Sequence, residues 1–278
     1  MSIAASIVGF DSAWTDKPTA PGAICAIRIG RDGRRSFEQP RLASFADALE
    51  FIRDEHRASA LCVVAIDQPT IVPNLTSLRP VERVAASLVS YCGGGVQPAN
   101  RSKIGMFCDN SPIWAFKAAL GATEEPETAR IAAQGLFIVE VFPALALPGL
   151  EPAFFGRRMA PRYNPARRST FRRQSWTDVV SLVRRYAIAA EIEGIAEWSL
   201  ATDAIETPRK ADQDRLDAVL CALIGYHWRH ADRSGSVMIG DLITGYMIAP
   251  TSPVALARLM ATAKSIGVPV DGRRLDEP

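Results

Sequence analysis

Acidic residues stand at the ends of apolar runs, where the edge of a sheet would present them. Asp11 and Asp67 each directly follow such a run, and Glu140 lies near the end of a third. Buried side by side, carboxylates repel one another, so a converging group is stable at neutral pH mainly when a cation lies among them. Ligands that offer only oxygen suit Mg²⁺ or Mn²⁺. These residues therefore predict an acidic metal site at one edge of a sheet.

A predicted helix that begins near Lys210 carries two more acids, Asp214 and Asp217, one turn apart on one flank of its apolar stripe. Ala218 and Cys221 on the same side are small, which would let the helix approach a sheet edge closely. Lys210 points the same way and could hold a phosphate or a neighbouring carboxylate. We expect this helix to bring its carboxylates to the acids at the strand ends.

The stretch from Pro152 to Thr177 contains no acidic residue and seven arginines, interleaved with aromatic residues. Such a stretch is often a solvated or disordered insertion. It also suits nucleic acid, because guanidinium groups neutralise phosphates and rings stack on unstacked bases. The second interpretation predicts that these arginines bind substrate: Arg157, Arg158, Arg162, Arg167, Arg168, Arg172 and Arg173.

Composition argues against several other kinds of site. The five cysteines are widely spaced without a CxxC pair, and there are only three histidines. Disulfide frameworks, structural zinc and Ser/His/Asp triads therefore have few possible members. No run approaches the roughly 20 apolar residues of a membrane-spanning helix, and the N-terminus lacks a signal core. We expect a cytoplasmic protein that does not contact a membrane.

The elements that must position these residues follow the pattern of an α/β protein. Predicted strands at 6–10, 22–30 and 34–42 form an antiparallel meander, because Arg31-Asp32-Gly33 is a tight-turn signal. A helix at 45–56 precedes a continuously apolar strand at 60–66, which is typical of a strand covered on both faces. Further helices are predicted at 81–91, 112–120, from 175 or 177 to about 192, from 210 or 212 to 227, and at 254–265. A strand is predicted at 136–142 and a hairpin at 237–249.

The chain shows no internal repeat and no low-complexity linker, so a second independently folding domain is not supported. We predict one domain over residues 1–250, with insertions at about 73–134 and 148–208. A C-terminal helix and a polar tail follow at 251–278.

Five short motifs, in order along the chain, resemble the DUF429 family of predicted nucleases within the ribonuclease H-like superfamily. They are GFDSAW at 9–14, AIDQP at 65–69, RPVER at 79–83, EVFP at 140–143 and KADQDRLDA at 210–218. The resemblance covers residues 9 to about 250. It implies a mixed five-stranded sheet, three antiparallel strands and then parallel ones, flanked by helices. It also implies metal-dependent phosphodiester chemistry.

Carried over to this chain, the resemblance implies Asp11 as the central metal ligand and Asp67 as the acid of the fourth strand. Asp214 and Asp217 resemble the helical acids of the Holliday-junction resolvase branch, and Glu140 is an additional acid of the catalytic group. The prediction is a Mg²⁺- or Mn²⁺-dependent nuclease that hydrolyses a phosphodiester in DNA or RNA. Two alternatives stay open: a non-catalytic module that binds nucleic acid or protein, and a hydrolase of a small phosphorylated metabolite.

Overall fold

A six-stranded mixed sheet forms the centre of the protein, whose computed structural model describes residues 3–271. The strands are β1 (Ile3–Asp11), β2 (Gly22–Gly30), β3 (Arg35–Ala43), β4 (Ser59–Ile66), β5 (Gly135–Glu140) and β6 (Ile192–Glu193). Strands β1, β2 and β3 form an antiparallel meander, and β4 and β5 extend the sheet in parallel from the other side of β1. The order across the sheet is therefore β5-β4-β1-β2-β3-β6.

Helices cover both faces of this sheet. They are α1 (Phe45–Ala58), α2 (Pro80–Cys92), α3 (Pro112–Leu120), α4 (Pro126–Ile131), α5 (Pro143–Leu150), α6 (Arg173–Ala189), α7 (Ile195–Asp203), α8 (Lys210–His230) and α9 (Pro253–Ile266). One hydrophobic cluster joins the sheet to α1 and α3, and a larger one joins the opposite face to α2, α6 and α8. The two clusters make this a layered α/β structure.

Strand β4 is apolar at successive positions because helices cover both of its faces. Leu61, Val63 and Ala65 lie in the cluster with α8, whereas the side chains between them lie in the cluster with α1. A strand that packs against helices on both faces has no position that favours a polar residue. After Ser59 at the start of the strand, the next polar side chain is Asp67, which follows the end of the strand.

A hairpin of β7 (Ser236–Asp241) and β8 (Gly245–Pro250) lies beside β5. The backbone N–H of Glu140 donates to the hydroxyl of Tyr246 on β8 at 3.1 Å, and Val141 forms a bridge with Ile248. The hairpin therefore supports the end of β5 from outside the main sheet. No helix within residues 3–271 has the length and apolar character needed to cross a membrane.

The predicted fold class is confirmed: antiparallel strands come first, parallel ones follow, and the sheet order is compatible with a ribonuclease H-like fold. The predicted helices and the hairpin are present, with ends that differ by a few residues. The structure adds the short edge strand β6 and the helices α4, α5 and α7.

Helix α8 begins at Lys210, so Asp212 lies in its first turn and accepts from the N–H of Arg209 at 2.9 Å. Most of the predicted polar tail, from 272 onward, lies outside the described residues.

Candidate functional site

Asp11 and Asp67 lie side by side at one edge of the sheet. Strands β1 and β4 are parallel neighbours that pair Phe10 with Ile66, and the N–H of Asp67 donates to the carbonyl of Phe10 at 2.9 Å. The ring of Phe10 packs against α1 and α3. Alternation along the strand therefore turns the next residue, Asp11, towards α8. Both aspartates line the same cavity.

Helix α8 lies directly on β1, and this contact brings its acids to the strand ends. Gly9 leaves no room for a side chain, because a methyl group there would overlap the backbone of α8. The thiol of Cys25 on β2 also donates to the carbonyl of Ala218 on α8, at 3.3 Å. Near the N-terminal end of the helix, Asp214 and Asp217 line the cavity that Asp11 and Asp67 line.

The carboxylates of Asp11 and Asp67 accept no hydrogen bond from the described part of the chain. Burial raises the pKa of each well above the usual aspartate range, and the neighbouring charge of Asp217 raises both further. The ammonium group of Lys210 acts in the opposite direction. Buried anions without donors are unfavourable, and a bound cation is what would relieve their repulsion.

Asp217 differs from these two acids because both of its oxygens have donors. The hydroxyl of Tyr163 donates to Oδ1 at 2.7 Å, and Nε2 of Gln213 donates to Oδ2 at 2.7 Å. Burial nevertheless raises the pKa of Asp217 to about 6, although these two hydrogen bonds and Lys210 favour the ionised form. A metal ion at Asp217 would therefore compete with Tyr163 or Gln213 for a carboxylate oxygen.

Asp214 forms an ion pair with Lys210 across one turn of α8. Burial would lower the pKa of Lys210, but the charges of Asp11, Asp214 and Asp217 outweigh burial and raise that pKa. Lys210 therefore stays charged and partly balances the acids. Its side chain is 55% exposed, so it can turn away from the cavity without a change in the fold.

Glu140 is held by a buried arginine. Arg79, which has no exposed surface, donates to the two carboxylate oxygens of Glu140 at 2.6 and 3.0 Å and to Glu82 at 2.8 Å. The N–H of Thr70 adds a further donor to Glu140 at 2.9 Å. Burial raises the pKa of Glu140, while Arg79 opposes that change. Glu140 thus lies in the cavity wall with its carboxylate already bound by protein donors.

The cavity in front of the acids has a volume of about 760 Å³. Among the arginines predicted to bind substrate, Arg162 and Arg167 line it, as does Lys210. Arg173 begins α6 and forms an ion pair with Asp203 at 3.3 Å. The remaining arginines of that prediction are exposed and do not line the cavity: Arg157, Arg158, Arg168 and Arg172.

The acids supply the oxygen ligands that a divalent cation prefers, but their side chains are not arranged around a common point. In residues 3–271, no three His, Cys, Asp or Glu side chains are arranged as ligands of one metal ion. Asp11 and Asp67 nevertheless offer carboxylate oxygens without protein donors, which is what Mg²⁺ or Mn²⁺ requires. A third ligand would come from Asp217 or Asp214 after exchange with a present partner. The donor set therefore fits such an ion with a side-chain rearrangement.

Three residues that sequence reasoning missed support this site. Gln213 lies four residues before Asp217 on α8, so helical spacing alone could have placed it beside that acid. Arg79 was part of a recognised motif, but its pairing with Glu140 joins positions 61 residues apart. Tyr163 reaches Asp217 from an irregular segment, and no local pattern indicates that contact.

Comparison with known proteins gives a family and nothing closer. No curated protein and no solved structure matches the chain. A match to the family described as "Protein of unknown function (DUF429)" extends over residues 9–241. This range contains the cavity's acids, most of the sheet and all five predicted catalytic acids. The chain therefore belongs to the DUF429 family.

Proposed function

We propose that this protein is a Mg²⁺- or Mn²⁺-dependent hydrolase that cleaves a phosphodiester bond in nucleic acid. Asp11 and Asp67 would be the principal metal ligands, with Asp217 and Asp214 completing the set. Arg162 and Arg167, which line the same cavity, would bind phosphate. Glu140 would have a structural role, because its ion pair with Arg79 holds the cavity wall.

One observation carries this proposal. Asp11 and Asp67 are adjacent, line one cavity and lack protein donors, and burial raises the pKa of both. Structural carboxylates are normally paired or hydrogen-bonded when buried. Perturbed acids gathered in a cleft are instead typical of functional sites. A divalent cation explains why two such groups lie together.

The chain's own residues would bind and orient the substrate. Arg162, Arg167 and Lys210 carry the positive charges that line the cavity, and the two guanidinium groups can contact phosphate oxygens in a bidentate manner. Tyr163 and Gln213 fix the orientation of the Asp217 carboxylate. A bound divalent cation would supply Lewis-acid stabilisation of the charge that develops on the phosphate.

Two observations favour other functions. The cavity volume of about 760 Å³ also suits a small phosphorylated metabolite. The ion pair between Lys210 and Asp214 places a cation of the protein itself beside the acids, which favours a binding module without catalysis. Metal binding separates the second alternative from the proposal, because a module whose acids are balanced by Lys210 needs no ion.

The first test is metal binding and cleavage in Asp11→Asn and Asp217→Asn variants. We expect wild type to bind Mn²⁺ in calorimetry and to cleave labelled DNA or RNA only with Mg²⁺ or Mn²⁺. Each variant should lose Mn²⁺ binding and at least about 100-fold in cleavage rate, while its far-ultraviolet circular dichroism stays native. Asp54→Asn is the matched control, because Asp54 is exposed on α1 and does not line the cavity.

Undiminished cleavage in both variants would remove these aspartates from the mechanism. Mn²⁺ binding without cleavage of any polynucleotide, together with turnover of a small phosphate ester, would favour the metabolite hydrolase. No Mn²⁺ binding by wild type would favour the non-catalytic module.

A further inference from the structure

Trp14 lines the cavity of the acids, and two contacts fix its ring. Its Nε1 donates to the backbone carbonyl of Asp67 at 3.1 Å, and its ring lies edge-on to Phe107 with centroids 5.5 Å apart. The residue is half-buried, lines the cavity and has a backbone φ of 42°, which residues with side chains rarely adopt. A ring held by these contacts can stack on a base with little further loss of side-chain freedom.

Two of the acids, Asp11 and Asp217, lie too deep for the surface of a duplex to reach, whereas Asp67 is half-buried. Asp11 is 8% exposed and Asp217 is 6% exposed, so a phosphate must enter the cavity to approach them. The cavity volume of about 760 Å³ falls in the range, roughly 300–1,000 Å³, that encloses one drug-sized molecule. A nucleotide of a flexible single strand fits such a space. A base-paired duplex keeps its bases stacked inside and its phosphates on a convex outer surface.

The arginine-rich segment, residues 157–173, forms one wall of this cavity and is attached to the fold. The N–H of Arg158 donates to the carbonyl of Tyr91 at 3.0 Å, and that of Ala160 donates to the carbonyl of Cys92 at 2.7 Å. These bonds join the segment to the end of α2. The hydroxyl of Tyr163 joins it to Asp217 on α8. This wall therefore restricts how closely a bulky duplex can approach the acids.

The same segment continues outside the cavity with unpaired positive charges. Arg157, Arg158 and Arg168 are exposed, and none forms an ion pair within residues 3–271. A mononucleotide in the cavity would leave these side chains unused. A longer strand would place further phosphates beside them, because consecutive phosphates follow the chain out of the cavity.

We infer that the ligand of this site is a single-stranded nucleic acid, with one unstacked base against Trp14 and the adjoining phosphates along the arginine-rich segment. The inference rests on the proposed function and deepens it by naming the substrate class. Trp14 acts in it as a residue that sets specificity for unpaired strands, independently of whether cleavage follows.

The test is binding without turnover. Fluorescence anisotropy in EDTA, and again in Ca²⁺, would compare a labelled 12-nucleotide single strand with its duplex, in DNA and in RNA. A mononucleotide would serve as unlabelled competitor. We expect the single strand to bind at least about 10-fold more tightly than the duplex. Trp14→Leu should lose about 10-fold in affinity, and Trp14→Phe should keep most of it, because base stacking needs a ring.

Trp198→Leu is the matched control. Trp198 is also half-buried and also packs edge-on against a phenylalanine, Phe37, at 5.9 Å, but it does not line the cavity. The Trp198→Leu variant should bind the single strand as tightly as wild type does. Should Trp14→Leu unfold in a thermal melt, tryptophan emission replaces it: the single strand should quench wild type and leave Trp14→Phe unquenched.

Equal or tighter binding of the duplex would overturn the inference, as would equal quenching of wild type and Trp14→Phe, or a mononucleotide that competes as strongly as the 12-mer. Failure of the proposed function has a different result. Strand binding that depends on Trp14 without any metal-dependent cleavage supports this inference and removes the nuclease. Duplex cleavage that is insensitive to Trp14 keeps the nuclease and overturns this inference.

Discussion

At the scale of single residues, Asp217 is the acid on which opposing influences meet. Burial disfavours its charge, while Tyr163, Gln213 and Lys210 favour it, and the balance leaves its pKa at about 6. In the unfolded chain, an aspartate has its ordinary pKa of about 3.9. The folded protein therefore holds this proton more tightly than the unfolded chain does, and stability must depend on pH between the two values.

We predict that the cation-free protein loses stability as the pH rises from about 4 to 6. A raised folded-state pKa gives stability that is complete below the unfolded pKa and is lost as pH rises through the folded one. Relative to Asp217→Asn, the unfolding free energy of wild type should fall by on the order of 2 kcal/mol over this range. Urea denaturation in EDTA at several pH values would measure it. Parallel pH profiles for the two proteins would contradict the prediction.

At the scale of elements, the site depends on how closely α8 lies on β1. Gly9 is the point of contact, because any side chain there meets the backbone of the helix. A residue with a Cβ would push α8 away from the sheet. Asp214 and Asp217 would then move away from Asp11, so one position in a strand controls the geometry of acids on two elements.

We predict that Gly9→Ala lowers the unfolding free energy by about 1–3 kcal/mol, the usual cost of overpacking, and weakens Mn²⁺ binding. Gly95→Ala is the control for stability, because a Cβ at Gly95 meets no atom within 4 Å. Chemical denaturation and calorimetry would measure both effects. A Gly9→Ala variant that is as stable as wild type would show that α8 can shift without cost.

Elements with strong periodicity were predictable from the sequence. The apolar runs before Asp11 and Asp67 identified two strand ends, because β1 and β4 are central and covered on both faces. That the two strands are neighbours is shown only by the sheet order. The apolar stripe of α8 likewise placed Asp214 and Asp217 on one flank. Helices α4, α5 and α7 were not predicted: α5 begins at Pro143, directly after the predicted strand at 136–142, and it contains a second proline, Pro148.

Contacts between distant segments were not predictable from spacing. The pairing of Arg79 with Glu140 changes Glu140 from a free acid into a paired one, yet no local signal indicates it. The attachment of the arginine-rich segment to α2 runs through backbone groups of Arg158 and Ala160, which carry no side-chain signature. A sequence pattern locates candidate acids, whereas tertiary contacts decide which of them remain available.

At the scale of the whole molecule, charge is separated although the net charge is only +2. Acids gather in the cavity, and arginines extend from its rim along one segment. Phosphates bound by such a segment release counterions, so affinity for a strand falls as the salt concentration rises. The salt dependence of binding thus reports how many arginines the strand contacts.

We predict that Arg157→Gln/Arg158→Gln weakens single-strand binding and lowers the slope of log affinity against log salt by up to about 1.4, or about 0.7 for each phosphate that is no longer neutralised. Arg31→Gln/Arg34→Gln is the matched control, because these exposed arginines lie at the turn between β2 and β3 and do not line the cavity. Anisotropy titrations at several KCl concentrations would measure both. Equal slopes for the two double variants would place the strand elsewhere.

The hydrogen bond from Tyr163 to Asp217 joins the wall that would hold a strand to an acid that would hold a cation. An ion that takes the Asp217 oxygen frees the Tyr163 hydroxyl, and a strand that moves the wall changes the donors of Asp217. The two binding equilibria are then coupled, and coupling is reciprocal. If Mn²⁺ changes the dissociation constant of the strand by some factor, the strand must change the dissociation constant of Mn²⁺ by the same factor. Replacing Tyr163 by phenylalanine should bring that factor closer to one.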